Sequence, residues 1–389
     1  MQKSDMDAGL YIHIPFCLKK CPYCDFYSIT DTSLHPAFMD ALVSEMRMTR
    51  GGNLTFDTLY MGGGTPSVLD AKTIGKIIGT ARESYEILPD TEITLEVNPG
   101  TVGLNKFEGY RRAGVNRINI GIQSFDPANL HLLGRIHSGY DARTAITWAQ
   151  KAGFKNIGID LIYGIPNQTK KSWLMDLKIA VESEPQHLSC YILSFEPGTP
   201  LHRDRQEARL KPLAESQVCE LFETTLEFLR DHGYVQYEIS NFAREIMDSS
   251  GLKSAERNRS RHNMKYWKSV PYIGLGPSAH SFLEPKRYWN CRDVKKYIQD
   301  LEAEKLPLDG EERLSTEQLI TEAIYLGLRK TKGILIDAFD KKFGVSFKTL
   351  FKDTIDALKS KGLIELSQNR CALTSRGMLY LDSIAAMFV

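Results

Sequence analysis

Nowhere in the 389 residues does an uninterrupted apolar run approach the ~20 residues that a bilayer-spanning helix needs. Neither sign of charge is in excess. The 49 Lys+Arg stand against 48 Asp+Glu, a net charge of +1, which excludes a nucleic-acid coat at one extreme and an acidic disordered chain at the other. The opening MQKSDMDAGLYIHIPF carries acids before its apolar stretch and lacks a small-residue cleavage site, so no secretory leader is read there. A cytoplasmic location is the expectation. No internal repeat of fixed period is present. A disulfide framework is missing too: Cys190, Cys219, Cys291 and Cys371 are scattered singly along the chain.

Residues 9–195 alternate between two kinds of segment. Short β-rich runs (LYIHI 10–14, TLYM 58–61, ITLEV 93–97, INIGIQ 118–123, IGIDLIY 157–163, LSCYIL 188–193) are separated by stretches with helical spacing such as 36–48, 71–85 and 171–183. Strands alternating with helices imply βαβ units and a parallel sheet, and strands apolar on both faces imply one covered on both sides. Six units fit an α/β fold built as an open, partial (β/α)6 barrel. Ligand-binding residues then collect past the strands' C-terminal ends. A helix over 214–232 and a strand over 234–240 follow. Residues 244–261 are polar and read as a flexible surface insertion. From about 315 the order is helix, helix, helix, two short strands and a terminal helix, a small winged-helix-like module without a clear basic stripe. A structural or lid role is expected of it, and no nucleic acid.

The remaining three cysteines crowd together just past the first strand as Cys17, Cys21 and Cys24, a C-x3-C-x2-C spacing. Thiolates suit zinc or an iron–sulfur cluster. A structural zinc site wants a fourth Cys or His at a matching spacing, and none lies nearby. Closed clusters use four cysteines, so three would leave one iron open and reactive. Gly62-Gly63-Gly64 at the next strand end lets backbone approach a ligand closely or simply makes a tight turn. Glu96, Gln123, Arg135 and Asp160 are polar residues at buried-prone strand ends, where each could also serve in an ion pair.

The cysteine spacing resembles the cluster motif of the radical S-adenosylmethionine (SAM) superfamily, whose fold is the partial (β/α)6 barrel. The resemblance implies a [4Fe–4S] cluster on Cys17, Cys21 and Cys24 and SAM on the fourth iron. One-electron cleavage of SAM would then give a 5′-deoxyadenosyl radical. Tyr11, Tyr23, Gly63, Gly64, Thr65, Glu96, Gln123, Arg135 and Asp160 match positions that line the SAM pocket in the porphyrin-related branch. His13 reads either as support for the cluster loop or as an ordinary core histidine. The implied organisation is a radical SAM core over 1–240, a connecting region over 241–313 and the winged-helix-like domain over 314–389.

Longer motifs carry the likeness across nearly the whole chain: YIHIPFC (11–17), GGGTPS (62–67), EVNPGT (96–101), AGVNRINIGIQSF (113–125), LGRIHS (133–138), IDLIYGIPNQT (159–169), YEISNFA (237–243) and HNMKYW (262–267). They are similar to the oxygen-independent coproporphyrinogen III oxidases and to their relatives, the HemW heme chaperones. The oxidases carry a fourth cysteine where Phe26 stands, and a long extension where this chain has ten residues before Tyr11. His-Asn-x-x-Tyr-Trp marks the chaperone group and stands here as His262, Asn263, Tyr266 and Trp267. The resemblance therefore favours heme binding and delivery over radical decarboxylation. It implies heme as cargo with His262 as its ligand and His280 as second candidate, the alternative for HNMKYW being a structural aromatic cluster. It also implies heme-acceptor proteins, peripheral contact with those that are membrane-bound, and a flavodoxin-like or ferredoxin-like electron donor. HNMKYW is expected at a mobile rim.

Overall fold

A computed structural model describes residues 7–50, 53–247 and 253–388. The six apolar runs form β1 (Ala8–Ile14), β2 (Thr55–Gly63), β3 (Glu86–Val97), β4 (Arg117–Gln123), β5 (Ile157–Tyr163) and β6 (His187–Ile192). They lie in chain order, each parallel to the next. The chain returns between them through α1 (His35–Met48), α2 (Ala71–Ser84), α3 (Leu104–Arg112), α4 (Pro127–Leu132), α5 (Gly139–Lys151) and α6 (Lys170–Glu182). Capping starts several of them. Asp70 accepts from Thr73 N ahead of α2, and Ser138 and Thr169 form reciprocal capping boxes with Asp141 and Ser172. Side chains alternate along a strand, so each strand feeds two environments. Leu10, Ile12, Ile14, Leu59, Met61, Ile93 and Leu95 make an aliphatic core under the helices. Tyr11, His13, Tyr60, Glu96, Asn119 and Asp160 fill the barrel interior, and they are polar.

The sheet runs past the barrel on both edges, to twelve strands. Next to β1 lies a parallel strand, Tyr272–Leu275, followed by antiparallel strands His280–Leu283, Lys286–Asn290 and Leu308–Arg313. Next to β6 lies an antiparallel hairpin of β7 (Tyr234–Gln236) and β8 (Asn241–Arg244). The single strand read over 234–240 is thus corrected. The chain turns at 237–240, where Glu238 accepts from Ser240 N at 2.9 Å, and Tyr237 N donates to Asn241 O at 3.1 Å. Within the polar insertion Ile246–Met247 pairs with Lys253–Ser254, while its tip, 248–252, falls outside the described residues.

In the C-terminal module helices Thr316–Arg329, Ile336–Phe343 and Lys352–Ser360 pack on a three-stranded sheet. Residues 334–335 add a third short strand to this sheet, paired with 370–371. Gly333, at φ +66°, lays the backbone so close to Cys371 that no Cβ would fit. No helix among the described residues is long and apolar enough to cross a membrane.

One buried charge pair holds this module to the barrel. Arg329 Nε lies 2.6 Å from Glu238 Oε2, and the Glu238 side chain is fully buried. The same guanidinium sits 5.7 Å from the Trp267 ring centroid, and Thr331 N donates to Tyr237 O. Removing one partner of a buried pair strands the other, at a cost of about 3–5 kcal/mol. Arg329→Met is expected to lose about that much in urea denaturation at pH 7. The double variant Arg329→Met/Glu238→Gln should recover part of it, because no buried charge remains.

Candidate cofactor site

The cysteine loop leaves β1 at Ile14 and is closed at its base. Cys17 N donates to Ile29 O at 2.9 Å and Ile29 N to Pro15 O at 2.7 Å, so residues 17–29 project as one hairpin-like excursion. Cys24 N donates back to Cys21 O at 3.2 Å, turning the second and third thiols toward the same side. Thr65 Oγ1 donates to Cys17 Sγ at 3.3 Å, and Arg135 Nη1 donates to Cys21 Sγ at 3.4 Å. Burial and the other two thiols push Cys24 up to about 11. A cationic centre would offset that repulsion. Among the described residues no three His, Cys, Asp or Glu groups converge as a single ion requires. A cubane, by contrast, takes each thiolate on a different iron.

All three cysteines line one cavity of about 580 Å3, within the range of small-molecule pockets. Tyr23, Gly63, Gly64, Thr65, Glu96, Gln123, Arg135 and Asp160 line it too, so eight of the nine residues assigned to SAM meet there. Glu96 accepts from Tyr60 OH at 2.6 Å. Burial, reinforced by the neighbouring Asp160, raises the Glu96 carboxyl to about 7 against the opposing pull of the Tyr60 and Gly63 donors. Asp160 Oδ2 accepts from Asn119 Nδ2 at 2.5 Å, while its Oδ1 is buried without a partner among the described residues. Arg135 Nε is buried and unpartnered in the same way, although Nη2 donates to Gly121 O at 2.6 Å. Buried polar atoms left over in a protein are ordinarily satisfied by something that binds. A bulge opposite β5 sets Gln123 at φ +72°, a left-handed conformation found at functional sites, and aims it at the cavity. The donor set fits an open cluster with an amino-acid-like ligand beside it.

Several expectations need correction. Tyr11 lies one level below the cavity, its hydroxyl 3.1 Å from His13 Nδ1 and its ring stacked on Tyr60. Gly63 and Gly64 do line the cavity, but their missing Cβ atoms make room for the protein itself. A Cβ on Gly63 (φ +105°) would strike the His13 ring, and one on Gly64 would strike Phe16 O. HNMKYW is no mobile rim. It forms a helix, Arg261–Trp267, across the N-terminal ends of β1 to β3, with Glu92 accepting from Arg261 N and His262 N. His262 is 1% exposed, and both ring nitrogens are engaged, Nδ1 with Thr58 Oγ1 at 2.8 Å and Nε2 with Tyr266 OH at 2.9 Å. Burial holds the imidazole down at about 3. With no free lone pair and no access, it cannot ligate heme iron in this structure. His280 is exposed and stacks on Trp289, away from the cavity.

Sequence reasoning missed Tyr60, Asn119 and Ser189. Tyr60 stands two residues before Gly62 on β2, Asn119 two before Gly121 on β4, and Ser189 opposite Asp160 on β6. Strand period alone puts the first two on the barrel's inner face; what was missing was the premise that this face is polar.

His262→Ala should cost about 2–4 kcal/mol in chemical denaturation, because it opens a cavity and leaves Thr58 and Tyr266 without their partner. His280→Ala should be near neutral. If the melting curve of His262→Ala matches wild type, the side chain is not a packed floor of the barrel.

A radical SAM superfamily model matches residues 11–180, and a model described as the HemN C-terminal domain matches 314–380. The heme chaperone HemW of Bacillus subtilis is 35% identical over 97% of this chain and 98% of its own length. The heme chaperone HemW of Escherichia coli is 36% identical over 98% of each chain. Among solved structures, the radical SAM enzyme coproporphyrinogen III oxidase (HemN) of Escherichia coli superposes with a TM-score of 0.82 at 25% identity, over 98% of this chain and 90% of that one. Near-complete coverage in both directions, with three thiols at the mouth of a polar barrel, places this chain in the HemW heme chaperone family of the radical SAM superfamily.

Proposed function

We propose that the protein binds heme and delivers it to acceptor proteins. In this reading Cys17, Cys21 and Cys24 hold a [4Fe–4S] cluster, and the polar cavity beside them holds SAM. The observation that carries it is the end-to-end similarity to proteins named heme chaperones, joined to a cluster loop with a phenylalanine two positions past its third cysteine. Phe26 is 69% exposed at the cavity mouth and offers no metal-binding atom. When bound, the cluster and SAM supply one-electron chemistry at a sulfonium. The chain's own residues do the rest. Glu96 faces the position of an ammonium, Arg135 lends positive charge to the Cys21 thiolate, and the Thr65 hydroxyl fixes Cys17. Tyr23 packs with Leu133, Ile162 and Leu193 as an apolar flank that keeps water from the site. A cytoplasmic location and a flavodoxin-like or ferredoxin-like donor belong to the same proposal.

The superposition on a coproporphyrinogen III oxidase, with the HemN C-terminal domain match, favours a second reading, radical decarboxylation. A single anaerobic experiment separates the two. Reconstituted protein should carry about four irons, lose them when Cys17, Cys21 or Cys24 becomes Ala, and keep them when Cys219 does. Given SAM, reductant and coproporphyrinogen III, it should release no protoporphyrinogen while binding added heme. Bound zinc in place of iron would defeat the cluster assignment, and stoichiometric decarboxylation would establish the oxidase.

The raised Glu96 carboxyl gives SAM binding a pH dependence. The ionised form attracts the ammonium, so affinity should rise as pH climbs from 6 to 8 through about 7. Without SAM the sign reverses. A carboxyl whose folded value is raised withdraws stability as pH climbs from its unfolded value near 4.5 through about 7. Titration calorimetry on wild type and Glu96→Gln checks the first, and urea denaturation without SAM across the same pH range checks the second. The variant should bind SAM more weakly and with a flat pH profile.

A further inference from the structure

A second cavity, about 550 Å3, lies on the far side of the Arg261–Trp267 helix, between the barrel floor and the C-terminal module. Seven cations and three acids line it. The acids are already committed. Asp57 pairs with Arg261 at 2.9 Å and with Lys265, Glu256 pairs with Arg259 at 2.9 Å and Lys332 at 3.7 Å, and the Asp7 carboxylate accepts from Thr55 Oγ1 while its backbone carbonyl accepts from Lys265. Lys268, Lys330 and Arg370 have no acidic partner among the described residues. They come from two units, the first following the helix and the other two standing on the module. Lys330 is half-buried, and its ammonium is destabilised by burial and by the charge of Lys268. Three cations without acidic partners, gathered at one concave surface from two parts of the chain, attract an anion. The other walls are apolar: Met264, Val270 and Leu335, the last 47% exposed. The lining suits a ligand that is anionic on one side and apolar on another. A concave site between three units has the size for such a molecule and lacks the extended basic stripe a duplex would need.

We propose that this cavity is an anion site that takes the propionate edge of the tetrapyrrole cargo. The proposal rests on the heme reading above but assigns the cargo to a different place from the SAM cavity and from the His262 imidazole. It also gives the HNMKYW helix two faces with separate tasks, a packed one under the barrel and an open one toward the ligand.

The test uses cluster-loaded full-length protein, titrated at low and high salt with heme and with heme dimethyl ester, which has the same macrocycle without the carboxylates. Wild type should bind heme at least about tenfold more tightly than the ester at low salt, the scale of one charge-assisted hydrogen bond, and salt should erode the difference. In Lys268→Gln/Lys330→Gln/Arg370→Gln that preference should vanish while affinity for the ester and the thermal melt stay as in wild type. Lys268→Glu, a single change at an exposed position, should lower heme affinity further if the triple variant folds poorly. Inorganic phosphate should compete with heme and not with the ester. Equal preference in wild type and variants would overturn this site while leaving heme binding in place. A wild type that binds neither form would overturn the cargo reading itself.

Discussion

Everything above the barrel floor depends on a column of ring and hydroxyl contacts through its interior. His262 is clamped between Thr58 and Tyr266, and the Tyr60 ring lies over it at 5.0 Å. The Tyr60 hydroxyl in turn reaches up to Glu96 in the cavity. Thr58, His262 and Tyr266 satisfy one another, as Tyr60 and Glu96 do above them, so a gap at one level strands a neighbour. An aliphatic interior would fill the same volume with less risk. It could not present a carboxylate near neutrality at the strand ends, which is what an ammonium-bearing ligand needs.

The alternating fold was legible because six short β-rich runs separated by stretches of helical spacing read as βαβ units of a covered parallel sheet. The cysteine loop was legible because its chemistry is local, three thiols within eight residues. The cavity residues were legible one strand end at a time. What could not be read was the meaning of HNMKYW. A histidine beside two aromatics has the same composition whether it grips a porphyrin or packs under a barrel. The decision lies with Thr58, two hundred positions away in the chain, and with Glu92, which anchors the helix from β3. The i, i+4 spacing of His262 and Tyr266 did hint that the two face each other on one helical turn. Gly63 and Gly64 show a related limit: their spacing announces a close approach, but not that the approaching group is His13 or the backbone of the cysteine loop.

The two cavities lie on opposite sides of one helix and differ in kind. The upper one is ringed by thiols and carboxylates at the ends of six strands. The lower one is ringed by cations from the floor, the helix and the module. Between them stand the tyrosines and His262, while the Glu238–Arg329 pair sets how the module meets the helix at Trp267. A change in the module's seating would therefore reach the lower cavity through Lys330 before it reached the upper one through Tyr60.

The edge of β1 has a consequence for how the protein comes into being. Gly9 pairs with Tyr272, so β1 waits for a partner 263 residues downstream. At elongation rates of about 5–20 residues per second that wait lasts roughly 13–50 s. Throughout it β1 has one open edge next to the nascent cysteine loop, the kind of edge that invites wrong partners. The floor of the barrel is equally late, since residues 261–267 must arrive before Tyr60 has anything to rest on. The sheet edge beside the cysteine loop is therefore closed only after most of the chain has been made.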